Sequence, residues 1–90
     1  MDLIQEITNV LTQKFTKAHV EVNDMTGTKD HLEILVVSDD FKGIRLLEQH
    51  RMVMETLQEK FQEGLHAVKI KTYTQEGFQR QKKLQDQGHL

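Results

Sequence analysis

The sequence predicts an α+β domain in which helices cover one face of a mixed three-stranded sheet, in the order α-β-β-α-β-α. Apolar residues recur at helical spacing in two long stretches, and three other stretches alternate apolar and polar residues as half-buried strands do. The first two strands are close enough for an antiparallel hairpin. A helix of crossover length separates the second strand from the third, which favours a parallel pair with a right-handed connection.

The N-terminal stretch DLIQEITNVLTQKF predicts an amphipathic helix. Asp2 is a suitable N-cap because its carboxylate can accept a hydrogen bond from a free backbone N–H of the first turn. Polar side chains occupy the rest of the helix surface. The apolar residues form one continuous stripe: Leu3, Ile4, Ile7, Val10, Leu11 and Phe15.

The next two stretches predict a hairpin. AHVEVND alternates in the period of a half-buried strand, and DMTGTKD supplies turn residues, with Gly27 free to take a positive φ. HLEILVVS follows as the second strand. Leu32, Ile34 and Val36 face one side of it, and Leu35 and Val37 partly fill the other side. This strand is therefore expected to be the central one.

The pattern changes to helical spacing after Ser38. SDDF offers three candidate N-caps, and Gly43 is expected to interrupt a short first turn before a helix from Ile44 to about Gln62. Gly64 has the chemistry of the residue that ends such a helix. The expected inner stripe of this helix consists of Ile44, Leu47, Met54, Leu57 and Phe61, widened by Leu46, His50 and Val53.

The last third of the chain predicts a strand and a weaker helix. GLHAVKIKTYT alternates as the third strand, and Thr74 is expected to cap the helix QEGFQRQKKLQ. Phe78 and Leu84 are its clear apolar anchors. The tail, residues 86–90, is expected to fray.

Composition limits the function. One domain spanning residues 1–90 has a modest core, which buries roughly 60% of the unfolded surface. The absence of cysteine excludes a disulfide framework, a thiol nucleophile and any metal site whose sulfur comes from this chain alone. No apolar run approaches the roughly 20 residues of a membrane span, so a soluble, cytoplasmic protein is expected. The net charge of −2 conceals a basic segment, since residues 64–90 hold 5 Lys+Arg against 2 Asp+Glu.

Two stretches closely resemble the signature of the BolA family. VVSDDFKGIRLLEQHRMVMETL has a strand ending in V-S, then F-x-G, then a helix containing Q-H-R, and LHAVKIKTYTQEGF has H-A-x-x-I-K-T-Y-T leading to an aromatic residue. The resemblance spans about residues 18–80. It implies the BolA-like arrangement α-β-β-α-β, which is similar to the type II KH fold and agrees with the order predicted above.

The resemblance also implies a function without catalysis. BolA-like proteins are partners of monothiol glutaredoxins and share with them a two-iron two-sulfur (2Fe-2S) cluster that also carries glutathione. His66 of LHAV matches the family's strand histidine, which is a cluster ligand. Many members supply a second ligand from the loop between the first two strands, where this chain has no cysteine and only His31 nearby. The resemblance implies that the protein alone is a monomer without a cofactor and that it forms a heterodimer with glutaredoxin. Its implied role is in cluster trafficking or in iron and stress regulation.

The alternative function is DNA-binding transcriptional regulation, which some family members are described as performing. A KH-like fold and a basic C-terminal cluster favour it, whereas the chain has no G-x-x-G clamp, few aromatic residues and a negative net charge. No nucleophile elbow, P-loop or H-E-x-x-H motif is present, so an enzyme is not expected. The residues expected to contact phosphates are Lys69, Lys71, Arg80, Lys82 and Lys83.

Overall fold

The elements follow the predicted order, with a short 3₁₀ turn and a divided second helix added. A computed structural model describes residues 2–27, 31–62 and 67–87, the last three by their backbone alone. The elements are α1 (Leu3–Lys14), β1 (His19–Asp24), β2 (His31–Val37), a 3₁₀ turn (Asp39–Phe41), α2 (Leu46–Thr56), α3 (Gln58–Gln62), β3 (Ala67–Tyr73) and α4 (Gln75–Gln87).

The three strands form the predicted mixed sheet. Their spatial order is β1-β2-β3, with β1 antiparallel to β2 and β3 parallel to β2. The register places Val22, Ile34 and Ile70 side by side across the sheet. The central position of β2 explains why it carries apolar residues on both faces.

The core lies between one face of the sheet, here called the inner face, and helices α1 and α2. Inner-face residues Leu32, Ile34 and Val36 are completely buried. The rings of Phe15 and Phe41 meet with centroids 5.0 Å apart, which closes the end of the core beyond α1. Burial of each large apolar side chain contributes about 1.5–3 kcal/mol. The buried cluster comprises Ile7, Leu11, Phe15, Leu32, Ile34, Val36, Phe41, Val53 and Leu57.

Local hydrogen bonds set the boundaries of the helices. An oxygen of the Asp2 carboxylate accepts a hydrogen bond from the N–H of Ile4 at 2.9 Å, which confirms the predicted N-cap of α1. Ser38, one of the three predicted caps, accepts from the N–H of Asp40 at 3.2 Å and begins the 3₁₀ turn. Gly43 follows with φ +75°, where a side chain would be strained, so the predicted interruption is also confirmed.

The helix predicted from Ile44 to Gln62 is two helices, which corrects that boundary. The hydroxyl of Thr56 donates to the carbonyl of Met52 at 2.8 Å, and the N–H of Leu57 is shared between the carbonyls of Val53 and Met54. A threonine that bonds back to the preceding turn bends a helix, and the shared bond tightens that turn. The predicted C-terminal residue Gly64 lies outside the described residues.

The predicted inner stripe of this helix is partly wrong. Leu47 is 75% exposed and Met54 is 39% exposed, whereas Val53 and Leu57 lie in the core. Gln49, Val53 and Leu57 are spaced by four residues and share one face of the helical path. The side chain of Gln49 forms a hydrogen bond with Thr72 on β3. Burial of Val53 and Leu57, with the Gln49 hydrogen bond on the same face, leaves three large apolar side chains of α2 in solvent: Leu46, Leu47 and Met54.

Helix α4 lies over the opposite, outer face of the sheet, so the prediction that helices cover only one face is wrong. The hydroxyl of Thr74 accepts from the N–H of Gly77 at 3.1 Å, as expected of a cap. The Phe78 ring then lies 5.9 Å from Tyr73 and 5.7 Å from His19, above the end of the sheet where Val37 is buried. Leu84, the second predicted anchor, is 59% exposed and anchors nothing.

Within the described residues, no helix combines the length and the apolar character needed to cross a membrane.

Candidate functional site

One of the two predicted cluster ligands, His31, lies at the end of the sheet where β2 and β3 begin. His66 itself is outside the described residues. Ala67, which follows it in the sequence, is the first residue of β3 and is the register partner of His31, the first residue of β2. The parallel pairing therefore places Ala67, the residue that follows His66 in the sequence, beside His31 at this end of the sheet.

His31 is held by its backbone while its side chain remains exposed. Its carbonyl accepts a hydrogen bond from the N–H of Met25 at 2.9 Å, next to the loop that joins β1 and β2. The burial of Leu32 and Ile34 on the inner face assigns His31 to the outer face by strand alternation. An exposed imidazole on a paired strand is accessible to a partner, and in its neutral form it can bind a metal ion through a ring nitrogen.

The donor set limits what this chain can hold alone. In the described part of the chain, no group of three or more His, Cys, Asp or Glu side chains is arranged to bind a metal ion. A 2Fe-2S cluster takes four protein ligands or their equivalents, mainly thiolates, with histidine as the known substitute. One or two imidazoles in a cysteine-free chain fit a cluster whose remaining ligands come from another molecule.

The predicted phosphate-contact residues are divided between separate parts of the surface. Lys71 and Lys82 line an outer-face hollow of about 320 Å³ together with Glu21 and Glu33. Lys71 Nζ lies 3.8 Å from Glu33 Oε1, and Lys82 Nζ lies 5.2 Å from the centre of the Phe78 ring. Two carboxylates thus share this hollow with the two ammonium groups, which reduces its attraction for phosphate.

The other basic residues lie elsewhere. Arg80 and Lys83 line a second, shallow depression with Glu76. A guanidinium nitrogen of Arg80 lies 3.0 Å from the Glu76 carboxylate. Lys69 is exposed on β3 opposite Glu33 in the register. The five side chains therefore do not form one continuous stripe, although each of them is accessible.

Sequence reasoning missed a groove beside β3. Leu46 and His50 of α2 and Ile70 and Tyr73 of β3 line a depression of about 230 Å³ at the edge of the sheet. The signal was present in the sequence as surplus apolar residues, because α2 carries more of them than one buried face can hold.

Comparison with known proteins agrees with the fold. A mixed three-stranded sheet with two helices on its inner face is the α+β architecture that this chain shares with BolA structures. The family model described as "BolA-like protein" matches residues 6–77, and the chain belongs to this family.

Individual relatives support the assignment. The chain is 43% identical over 68 residues to "Protein BOLA2" of Arabidopsis thaliana, covering 74% of this chain and 72% of that protein. It is 33% identical over 81 residues to the "DNA-binding transcriptional regulator BolA" of Escherichia coli, covering 82% and 77%. The structure of BolA1 from Arabidopsis thaliana superposes with a TM-score of 0.80 at 24% identity, covering 84% of this chain and 95% of that one, and shows the shared fold.

Proposed function

We propose that this protein is a non-enzymatic adaptor that binds a monothiol glutaredoxin and supplies His66 as a ligand to a glutathione-containing 2Fe-2S cluster. The observation that carries the proposal is the pairing of Ala67 with His31, which makes the residue after His66 part of a hydrogen-bonded strand. A ligand on a rigid element has a defined direction toward a partner. The cluster is cargo for trafficking or for iron and stress regulation, and the partner supplies the sulfur.

Imidazole ligation suits a cluster that is to be passed on. A neutral imidazole in place of a thiolate leaves the cluster less negative and raises its reduction potential. Protonated imidazole cannot bind a metal, so the bond is also lost more readily than a thiolate bond near neutral pH. An adaptor with a histidine ligand therefore holds the shared cluster less tightly than a protein with cysteine ligands.

His66 is assigned as the principal ligand and His31 as a second one. In the sequence, His66 is two and four residues before Val68 and Ile70, which pack against the core. His31 is one residue before buried Leu32, so it belongs to the other set of alternating positions. Strand alternation therefore predicts that the two imidazoles start from different faces of the sheet. This difference makes their contributions separable by mutation.

Visible circular dichroism tests the proposal. A glutathione-loaded glutaredoxin cluster is titrated with this protein as wild type, His66→Ala, His31→Ala and, as a control, His19→Ala. Wild type and His19→Ala are expected to give the same new spectrum, saturating at one equivalent, and His66→Ala is expected to give none. A wild-type spectrum retained by His66→Ala would remove that residue as a ligand, and no change with any variant would reject the partnership.

DNA binding is the second candidate function. Its supporting observation is the relative in Escherichia coli that is named as a DNA-binding transcriptional regulator and is 33% identical over 81 residues. Exposed Lys69, Arg80 and Lys83 are available for phosphates. The expected behaviour is an affinity for duplex DNA that falls steeply with salt, with a log–log slope reduced by about 0.9 for each phosphate contact removed by lysine-to-glutamine substitution. His66→Ala is expected to leave that affinity unchanged.

A further inference from the structure

One edge of the sheet is open. The carbonyl of Tyr73 accepts a hydrogen bond from the N–H of Ser38, so the backbone groups of Tyr73 point toward β2. Successive residues of a strand direct their backbone groups to alternate sides, which turns the N–H and C=O groups of Val68, Ile70 and Thr72 away from β2. β3 is an edge strand of the described sheet, and the backbone hydrogen bonds that the described residues form outside their helices and strands use none of these groups. This row, here called the β3 edge, is a template for another strand.

An apolar groove runs beside the β3 edge. It is the depression of about 230 Å³ between α2 and β3, lined by Leu46, His50 and Ile70 with mainly carbon surface. Leu46 is 59% exposed, and Leu47 and Met54 are also exposed on α2. Large apolar side chains next to unpaired backbone groups are typical of a surface that another chain covers. A side chain of an added strand would enter this groove from the inner-face side.

The charges along β3 indicate the chemistry of the segment that would pair with this edge. Lys69 and Lys71 extend from the outer face of the same strand, and no ion pair is formed by Lys69 within the described residues. Residues of an added strand that share the outer face would lie next to these lysines, where acidic side chains are favoured. Residues that face the groove would be apolar. The complementary sequence therefore alternates acidic and apolar residues.

A second copy of this chain does not meet that requirement. Antiparallel pairing of two β3 edges about Ile70 would place Lys69 opposite Lys71 of the other copy, and like charges directly opposite each other are destabilising. Lysine on an edge strand is a common means of preventing such self-pairing. Nucleic acid would use the lysines but would leave the backbone row and the apolar groove largely unused.

We propose that the β3 edge and its groove bind an extended acidic segment of a partner protein, which adds to the sheet as a fourth strand. Backbone hydrogen bonds to Val68, Ile70 and Thr72 would provide affinity, and the groove and the lysines would select alternating apolar and acidic residues. None of these groups is a proposed cluster ligand. The inference is therefore independent of the glutaredoxin proposal.

The probe is a fluorescent peptide of alternating Glu and Val, as long as the seven residues of β3. A peptide of the same composition with the two residue types in separate blocks is the sequence control. Anisotropy is expected to report binding of the alternating peptide only. Leu46→Glu and Lys69→Glu are each expected to weaken binding by about tenfold or more. Leu84→Glu is the matched control, because Leu84 has the same 59% exposure on α4, and it is expected to bind as wild type does.

Amide hydrogen exchange provides the decisive structural measurement. The peptide is expected to protect the amides of Val68, Ile70 and Thr72 while leaving those of Lys71 and Tyr73, already directed at β2, unchanged. Equal binding of the blocked peptide, or no added protection at the three amides, would overturn the proposal. Protection that appears instead with a single-stranded oligonucleotide would identify nucleic acid as the ligand of the β3 edge. Protection that appears with rising concentration of the protein alone would identify a second copy.

Discussion

The hydroxyl of Thr72 donates a hydrogen bond of 2.6 Å to the side-chain oxygen of Gln49, and this bond joins the edge strand β3 to helix α2. The amide nitrogen of Gln49 donates in turn to the carbonyl of Ile44 at 2.7 Å. Gln49 therefore links the start of α2 to buried Thr72, and both ends of its amide are satisfied. In the described residues, no buried side-chain nitrogen or oxygen lacks a partner.

Thr72→Val is expected to destabilise the protein by about 1–2 kcal/mol, because the isosteric valine leaves the oxygen of Gln49 without its donor. Urea unfolding measures the effect. Gln49→Leu combined with Thr72→Val should recover part of the loss, since the unsatisfied oxygen is then absent. Thr12→Val, at an exposed hydroxyl that bonds within α1, is the control and should change stability by less than about 0.5 kcal/mol. Equal costs at Thr12 and Thr72 would contradict this interpretation.

The rotation of α2 leads to a second prediction. Leu57→Ala should cost about 2–5 kcal/mol because it leaves a cavity in the core, whereas Leu47→Ala should cost less than about 0.5 kcal/mol. Thermal or urea unfolding measures the free energy of unfolding of the two variants, which carry the same Leu→Ala change at a buried and at an exposed position. A large loss at Leu47 would show that the helix faces the core with the originally predicted stripe.

The order of elements, the strand pairing and most caps could be predicted because they depend on local chemistry. Asp2 and Thr74 can each cap a helix through a side-chain oxygen, and Gly43 can adopt a positive φ, whatever the rest of the fold does. The rotation of α2 could not be predicted in this way. Its apolar residues fit more than one face, and the choice depends on how Val53 and Leu57 pack in the core and on the Gln49–Thr72 hydrogen bond, all of which are contacts with distant parts of the sequence.

The candidate site was predictable in part. The resemblance implied His66 and His31 as ligands, and their ligand roles stay predictions, whereas the parallel β2–β3 pairing is confirmed and places Ala67 beside His31. The distribution of the basic residues could not be read from the sequence. Arg80 and Lys83 lie on one side of α4 and Lys82 lies on another, because residues three apart share a helix face and residues two apart do not.

The packing of α4 on the outer face depends on Phe78. Phe78→Ala removes ring contacts with Tyr73 and His19 from a half-buried position, and a loss of about 1–2 kcal/mol is expected. Amide exchange in α4 should accelerate more than exchange in β2, because β2 is held by both neighbouring strands. Leu84→Ala on the same helix is the control and should leave exchange almost unchanged. If both variants loosened α4 equally, the ring contacts would not be what holds it.

Ser38 closes the junction between the sheet and the 3₁₀ turn. Its buried hydroxyl donates to the carbonyl of Thr16 at 2.9 Å and accepts from the N–H of Asp40. Ser38→Ala leaves that carbonyl without its donor and removes the cap, so a loss of about 1–3 kcal/mol is expected by urea unfolding. Thr8→Ala, which removes a hydroxyl bonded to the carbonyl of Ile4 within a helix, should cost distinctly less, because that carbonyl lies within the helical hydrogen-bond ladder.

Removal of iron should affect the cluster of the glutaredoxin complex but not the stability of the free protein. The described core of the free protein consists of apolar side chains packed between helices and sheet, and the proposed ligand His31 is exposed. An iron chelator is therefore expected to leave the melting temperature of the protein alone unchanged, while it bleaches the visible spectrum of the glutaredoxin complex. Metal contributes folding energy where its ligands are assembled only by folding around it, as in zinc fingers. A chelator that lowered the melting temperature of the free protein would mean that it carries a structural metal of its own, and the cluster would then no longer be a shared cargo.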